Sequence, residues 1–256
     1  MPGERILLAD DPSGHLRKLL HALAALEDLS LDDHALVGGL AVMCRLRVAH
    51  RATEDLDEVA GSTTPSLIEV IVEQLDARRD PGSSTAWIDG IAIDVIDTDP
   101  IVEGDLEGLE LAEKLFVAGH RWALQSATPV TLECAGSCVT TRVAQVPALV
   151  ATKVSAILGA RRRLPHKRAS DVFDLYRLVQ EHDRDGGLSR ALLDAPLGIG
   201  ALVGAGLSAS VVEQSERTTR LLSAGNAEMS SIGRLDLLEV IAPLAAFLYR
   251  DQAFKD

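Results

Sequence analysis

Residues 36–57 read LVGGLAVMCRLRVAHRATEDLD, and the fold turns on this stretch. A short apolar run, Ala35 to Val37, meets the pair Gly38 and Gly39, and a helix-like segment follows from Leu40 to Arg47, giving strand, glycine turn, helix. Beyond it, Thr53 to Val59 alternates well enough for a second strand. Asp55 and Asp57 sit two apart there, so a strand projects both carboxylates from one face. Such neighbours repel unless a cation lies between them. A hard divalent ion such as Mg2+ takes oxygen ligands and leaves positions for phosphate oxygens. The glycines let backbone N–H groups approach a triphosphate, and the following helix points its positive N-terminus at it. Singly, Asp-x-Asp is common on exposed strands and Gly-Gly is usually a turn. Their conjunction with Arg51 and Thr53, spaced R-x-T-x-D-x-D, is much rarer and makes half of a phosphoryl-transfer site.

Upstream, Ser13 followed by His15 to Leu29 reads as a capped amphipathic helix. Downstream, Pro65 starts a helix through Leu67, Ile68, Ile71, Val72 and Leu75. Thr85 to Ile96 looks like a hairpin turning near Gly90, with Ile91, Ile93 and Val95 on one face and Asp94 on the other. A helix is expected from about Asp105 to Trp122, interrupted by Gly108 and Gly119, and further strand over Pro129 to Val146. After Pro147 the pattern is helical to the end, with breaks at Leu164-Pro165, Asp185 to Gly187, Pro196 to Gly206 and Gly225. The expected class is therefore α+β: a mixed sheet with helices over residues 1–146, then an α-helical half over 147–256 that completes the active site, with the crevice between halves a natural ligand site.

With 256 residues, 47% of them apolar, the chain has ample material for a core. No apolar stretch at the N-terminus suggests a signal, and no run approaches the roughly 18 residues of a spanning helix, so a cytoplasmic protein without membrane contact is expected. Cys44, Cys134 and Cys138 match no common zinc spacing and are expected to be buried small apolar residues. A net charge of −13 argues against coating nucleic acid by bulk electrostatics, so any such contact must be local.

The glycine pair and the R-x-T-x-D-x-D strand resemble the signature of the AbiEii/MenT branch of the polymerase-beta-type nucleotidyltransferases. The second half adds to the resemblance: residues 147–178, PALVATKVSAILGARRRLPHKRASDVFDLYRL, have the look of a helix bearing a lysine, a basic stretch and then D-x-x-D-L. Lys153 lies on an otherwise apolar helix, where an amine snorkels or finds an anion. Asp171 and Asp174 share a helix face, or else follow Ser170 as an N-cap with acidic first-turn residues. The resemblance implies Gly38 and Gly39 as phosphate loop, Asp55 and Asp57 as metal ligands, Lys153 as the cation on the triphosphate, and Asp171 as a second-half carboxylate near metal or acceptor. Thr53 matches a hydroxyl position that points into the site and can itself accept phosphate. Arg51 matches the nucleotide-side arginine, or makes a salt bridge to strand or helix. A third carboxylate on a neighbouring strand completes the metal site in the wider superfamily; Asp94 is the candidate here, with Asp89, Asp97 and Asp99 competing. Leu40 follows Gly39 where many relatives carry a small hydroxyl residue, which leaves the backbone amides to hold the triphosphate.

The activity implied is Mg2+-dependent transfer of a nucleotide, with pyrimidines preferred, from an NTP to an RNA acceptor, the 3′ end of tRNA. The chain would be the toxin of a toxin–antitoxin pair, with an antitoxin encoded nearby. The alternatives are modification of a small molecule or a protein hydroxyl, or a degenerate nucleotide-binding module. Arg161, Arg162, Arg163, Lys167 and Arg168 put five cations in eight residues. They are expected to hold RNA phosphates, the alternative being a helix end whose cations complement the C-terminal dipole.

Overall fold

The computed structural model describes residues 4–8, 13–29, 31, 33–48, 50–159 and 164–250. In chain order the first elements are β1 (Glu4–Leu7), α1 (His15–Glu27), β2 (His34–Val37), α2 (Gly38–Leu46), β3 (Asp55–Gly61), α3 (Leu67–Gln74), β4 (Arg78–Arg79), β5 (Thr85–Ile88) and β6 (Ile91–Thr98). A 3-10 turn at Glu103–Leu106 precedes α4 (Leu111–Ser126), β7 (Thr128–Cys134) and β8 (Ser137–Val143). The α-helices that follow among the described residues are α5 (Val146–Leu158), α6 (Pro165–His182), α7 (Gly187–Leu193), α8 (Ile199–Leu207), α9 (Ser215–Ser223), α10 (Ala227–Ser230) and α11 (Arg234–Arg250). This is the α+β class. Two compact units share the chain: Met1–Pro100 with Ala123–Gln145, and Ile101–Trp122 with Val146–Asp256.

Among the described residues, all eight strands lie in the first unit, in one sheet of order β1-β7-β8-β2-β3-β6-β5-β4. β2 and β3 run antiparallel, whereas β3 and β6 run parallel, with α3 in the connection between them. Leu56, Glu58, Ile93 and Val95 are buried on one face of β3 and β6, and Leu19, Leu20 and Leu23 of α1 are buried as well. Alternation thus leaves Asp55, Asp57, Ala92 and Asp94 on the less buried face of the two central strands. Asp89 and Gly90, both at positive φ, make the tight β5–β6 turn, and Ala135 and Gly136 do the same for β7–β8.

Local chemistry moves several expected boundaries. Ser13 is not the N-cap of α1: that position is Gly14 in the left-handed region, and the Ser13 hydroxyl accepts from the His15 amide at 3.3 Å. The α3 helix starts two residues after Pro65, at Leu67, behind the N-cap Ser66, in a capping box in which Glu69 accepts from the Ser66 amide and hydroxyl. The Asp105 start splits into the 3-10 turn and an α4 that begins at Leu111 and runs through Gly119.

In the second unit, the break expected over Pro196 to Gly206 is mostly the helix α8. Its glycines are there for close packing rather than for a turn, since a Cβ on Gly200 would lie 2.3 Å from the Leu192 carbonyl oxygen and one on Gly206 2.5 Å from Val154. Cys44 and Cys134 are buried and Cys138 is exposed, so the third cysteine departs from its expected place in the core. Among the described residues no single helix is long and apolar enough to cross a membrane.

Candidate active site

Gly38 takes a left-handed conformation, φ 67°, at the start of α2, a backbone state that costs a side-chain-bearing residue. It is also crowded. A Cβ there would lie 1.8 Å from the Asp57 Oδ2, so the carboxylate packs directly onto the glycine backbone. A Cβ on Gly39 would meet the Arg51 guanidinium and the Thr53 hydroxyl, each at 2.7 Å. The two glycines therefore bring Asp57, Thr53 and Arg51 into one cluster at the N-terminus of α2. Leu40 is buried, so the first turn of α2 presents backbone amides there rather than a hydroxyl.

Thr53 is buried, and its hydroxyl reaches the Asp55 carbonyl oxygen at 3.5 Å, the outer limit of a hydrogen bond. Arg51 also donates to the Ala52 carbonyl at 2.8 Å. Both residues lie in the loop before β3, which starts at Asp55 rather than Thr53.

The third-carboxylate candidates separate by register. Asp57 pairs with Asp94 across the parallel β3–β6 ladder, which puts both side chains on one face. Asp97 points to the opposite face, Asp89 is in the hairpin turn, and Asp99 lies beyond β6. Asp94 Oδ1 accepts from the Thr85 hydroxyl of β5. Sequence reasoning missed Thr85, because only the hairpin register brings it opposite Asp94.

Among the described residues no three His, Cys, Asp or Glu side chains are drawn together as a formed metal centre. A cradle of that kind is not what Mg2+ requires. It is typically held by one or two carboxylates plus substrate phosphates and water, and the donor set here is all oxygen beside a glycine loop a Cβ would fill. Asp57 and Asp94, in register on one face with Asp55 beside them in the alternation, are oxygen donors of the kind such an ion takes.

In the second unit, Lys153 is buried at 6% exposure, with its Nζ 3.0 Å from Asp171 Oδ1 and 2.8 Å from Asp174 Oδ2. It does not snorkel. Nor is Ser170 an N-cap: α6 starts five residues earlier at Pro165, and the Ser170 hydroxyl donates to the His166 carbonyl. Lys167 and Arg168 lie in the first turn of α6, the end where a dipole disfavours cations, so the dipole alternative fails for these two. Arg161, Arg162 and Arg163 lie outside the described residues.

Arg45 is a further residue that sequence reasoning missed. It is buried at the C-terminal end of α2, where it donates to the Ala144 carbonyl at 2.8 Å and the Thr128 hydroxyl at 2.9 Å, and pairs with Glu4 at 3.1 Å. Burial lowers its guanidinium pKa while Glu4 opposes that shift. By tying α2 to β1, β7 and the end of β8, it fixes the helix whose other end is the glycine loop.

A sequence profile of the nucleotidyl transferase AbiEii toxins of type IV toxin–antitoxin systems matches residues 21–197. No curated protein matches the chain. Among solved structures, a crystal structure of ANT(2")-Ia in complex with adenylyl-2"-tobramycin is 18% identical, with a TM-score of 0.45 over 75% of this chain and 97% of that one. An antigenic nucleotidyltransferase-like protein from Paracoccidioides brasiliensis is also 18% identical, with a TM-score of 0.42 over 80% of this chain and 93% of that one. The profile spans well over half of the chain and takes in the glycine loop, Asp55, Asp57 and Asp94 of the sheet and the Lys153 cluster: the protein belongs to the AbiEii nucleotidyltransferase toxin family.

Proposed function

We propose that the enzyme transfers a nucleoside monophosphate, preferentially a pyrimidine one, from an NTP to RNA at the 3′ end of tRNA, as a cytoplasmic toxin held in check by a separate antitoxin. The observation that carries this reading is the packing of Asp57, Thr53 and Arg51 onto Gly38 and Gly39 with Asp94 in register alongside. Amides of the glycine loop would take the β- and γ-phosphates, and Arg51 would lie beside them. Asp55, Asp57 and Asp94 would hold Mg2+, which when bound neutralises charge on the phosphates and lowers the pKa of a coordinated hydroxyl.

In the reaction an acceptor hydroxyl oxygen attacks the α-phosphorus and forms a new P–O bond. The bond from that phosphorus to the α–β bridging oxygen breaks, and pyrophosphate leaves with its electron pair, in line with the attack. The hydroxyl proton passes to a carboxylate of the row or to solvent. Lys153 is proposed to supply positive charge to the triphosphate, for which its ammonium would exchange a carboxylate partner, Asp171 or Asp174, for a phosphate oxygen. A buried lysine with two carboxylates is expensive for a fold to maintain, which supports a working role.

The test incubates the protein with Mg2+, each labelled NTP and total RNA. Labelled tRNA is expected, strongest with CTP or UTP and abolished by EDTA. Asp55→Ala and Asp57→Ala should each lose transfer at least a hundredfold without loss of folding. Wild-type activity in either variant removes the metal assignment. Label that appears only on protein or on a small molecule removes the RNA acceptor.

A further inference from the structure

The row of residues that contains Asp55 does not stop at the carboxylates. Asp55 pairs with Ala92 of β6, Ala92 pairs with Trp87 of β5, and Trp87 pairs with Arg78 of β4. Paired residues in neighbouring strands project from the same face, so Asp55, Ala92, Trp87 and Arg78 form one line across the less buried side of the sheet. Two side-chain contacts corroborate the facing. Thr85 reaches Asp94 in the adjacent row, and the Arg78 guanidinium lies over the indole of Trp87, 5.5 Å from the ring centroid. Trp87 is half-buried and Arg78 exposed. With strands about 4.8 Å apart, the indole stands about 10 Å from Asp55 along the sheet, with the small, partly exposed Ala92 between them.

We propose that Trp87, flanked by the guanidinium of Arg78, is the platform on which the terminal nucleobase of the acceptor stacks. This rests on the RNA acceptor proposed above and deepens it. Direction argues for the acceptor rather than the NTP. The glycine loop follows β2, on one side of β3, while β6, β5 and β4 lie on the other. In-line displacement puts the attacking hydroxyl opposite the leaving pyrophosphate, so if pyrophosphate leaves from the glycine loop, the acceptor enters over β6 and β5. Composition argues for a base. Trp is scarce in this chain, two residues in 256, and one of them lies in line with the carboxylates beneath a planar cation. An indole with a guanidinium is a sequence-tolerant stacking surface for a base, and the cation offers contact to its phosphate. The overall charge of −13 gives nucleic acid no other reason to approach this edge.

The second tryptophan, Trp122, is removed by Trp122→Phe to leave Trp87 as the only indole reporter. With Mg2+ but no NTP, so that no transfer takes place, a short single-stranded oligoribonucleotide with a free 3′ hydroxyl is titrated in. Quenching of Trp87 emission is expected, and each NTP alone should give none. In steady-state transfer, Trp87→Ala should raise the acceptor KM roughly tenfold, leaving the NTP KM unchanged, and Trp87→Phe should recover most of the loss. Arg78→Ala should give a smaller rise. Quenching by an NTP but not by the oligonucleotide overturns the assignment, as does an unchanged acceptor KM in a folded Trp87→Ala variant. Quenching by the oligonucleotide without labelling of any RNA leaves the platform standing and removes the transfer reading. Labelling of RNA without quenching does the reverse.

Discussion

A methyl group added to Gly38 would occupy the space now filled by the Asp57 carboxylate, and the backbone there is left-handed. Gly38→Ala therefore bears on a metal ligand and on backbone strain together. Transfer is expected to fall at least tenfold, with a stability loss of about 1–2 kcal/mol, measured by NTP turnover and urea unfolding. A variant with full turnover would mean that the carboxylate can leave the loop without consequence. Asp57 itself was legible from spacing, because a period of two is a property of any strand. That its side chain lies on the glycine pair was not, because the contact comes from the pairing of β2 with β3, in which Val37 faces Asp57.

Between elements, charge pairs lock the working strands and helices, and these were the least legible part of the chain. Lys153, Asp171 and Asp174 were each visible as polar residues on helical faces, but their ion pairs join residues 18 apart or more and depend on α5 meeting α6. Removing the cation alone takes away the positive charge that the two buried carboxylates share. Lys153→Ala should thus cost about 3–5 kcal/mol as well as transfer, and Lys153→Arg should retain only a fraction of activity, since a wide planar guanidinium replaces a compact charge. The triple variant Lys153→Met, Asp171→Asn, Asp174→Asn separates the two roles: most of the stability should return and none of the transfer. Return of both would make the cluster scaffold only.

Behind β3, the buried Glu58 carboxylate meets His34 Nδ1 of β2 at 3.1 Å, and Glu27 of α1 stands 4.0 Å from the other ring nitrogen. Burial works against a charge on His34, but the hydrogen bond and charge of Glu58, with Glu27 behind, outweigh it and raise its pKa above the ordinary 6.5. A raised pKa supplies stability in full below about pH 6.5 and loses it as pH rises through the native value, a tenfold gain in proton affinity being worth about 1.4 kcal/mol. His34→Asn should be destabilised most at pH 6, with the gap to wild type narrowing towards pH 9 in urea melts. A gap independent of pH would mean that the ring is neutral throughout. Nothing in the local pattern marks this pair, since His34 and Glu58 lie 24 residues apart and neither belongs to a motif.

At the scale of the whole molecule, charge decides how RNA can be held. A chain of net charge −13 repels a polyanion, so binding must come from a concentrated minority of its cations. Arg161, Arg162, Arg163, Lys167 and Arg168 are the densest such group, and Lys167 and Arg168 occupy the first turn of α6, where a helix gains nothing from positive charge. The helix dipole gives no reason for cations at that end, whereas a phosphate backbone does. Each phosphate contact on single-stranded RNA contributes roughly −0.7 to the slope of log affinity against log salt. Arg162→Glu with Arg163→Glu is therefore expected to flatten that slope by about 1 or more and to weaken RNA labelling, while NTP binding survives because the Gly38-Gly39 loop is untouched. An unaltered slope with unaltered labelling would assign these cations to some other task. Since the Trp87 platform would hold only one terminal base, acceptor affinity would then have to come from elsewhere on an acidic surface, and a small molecule or protein hydroxyl would become the better acceptor.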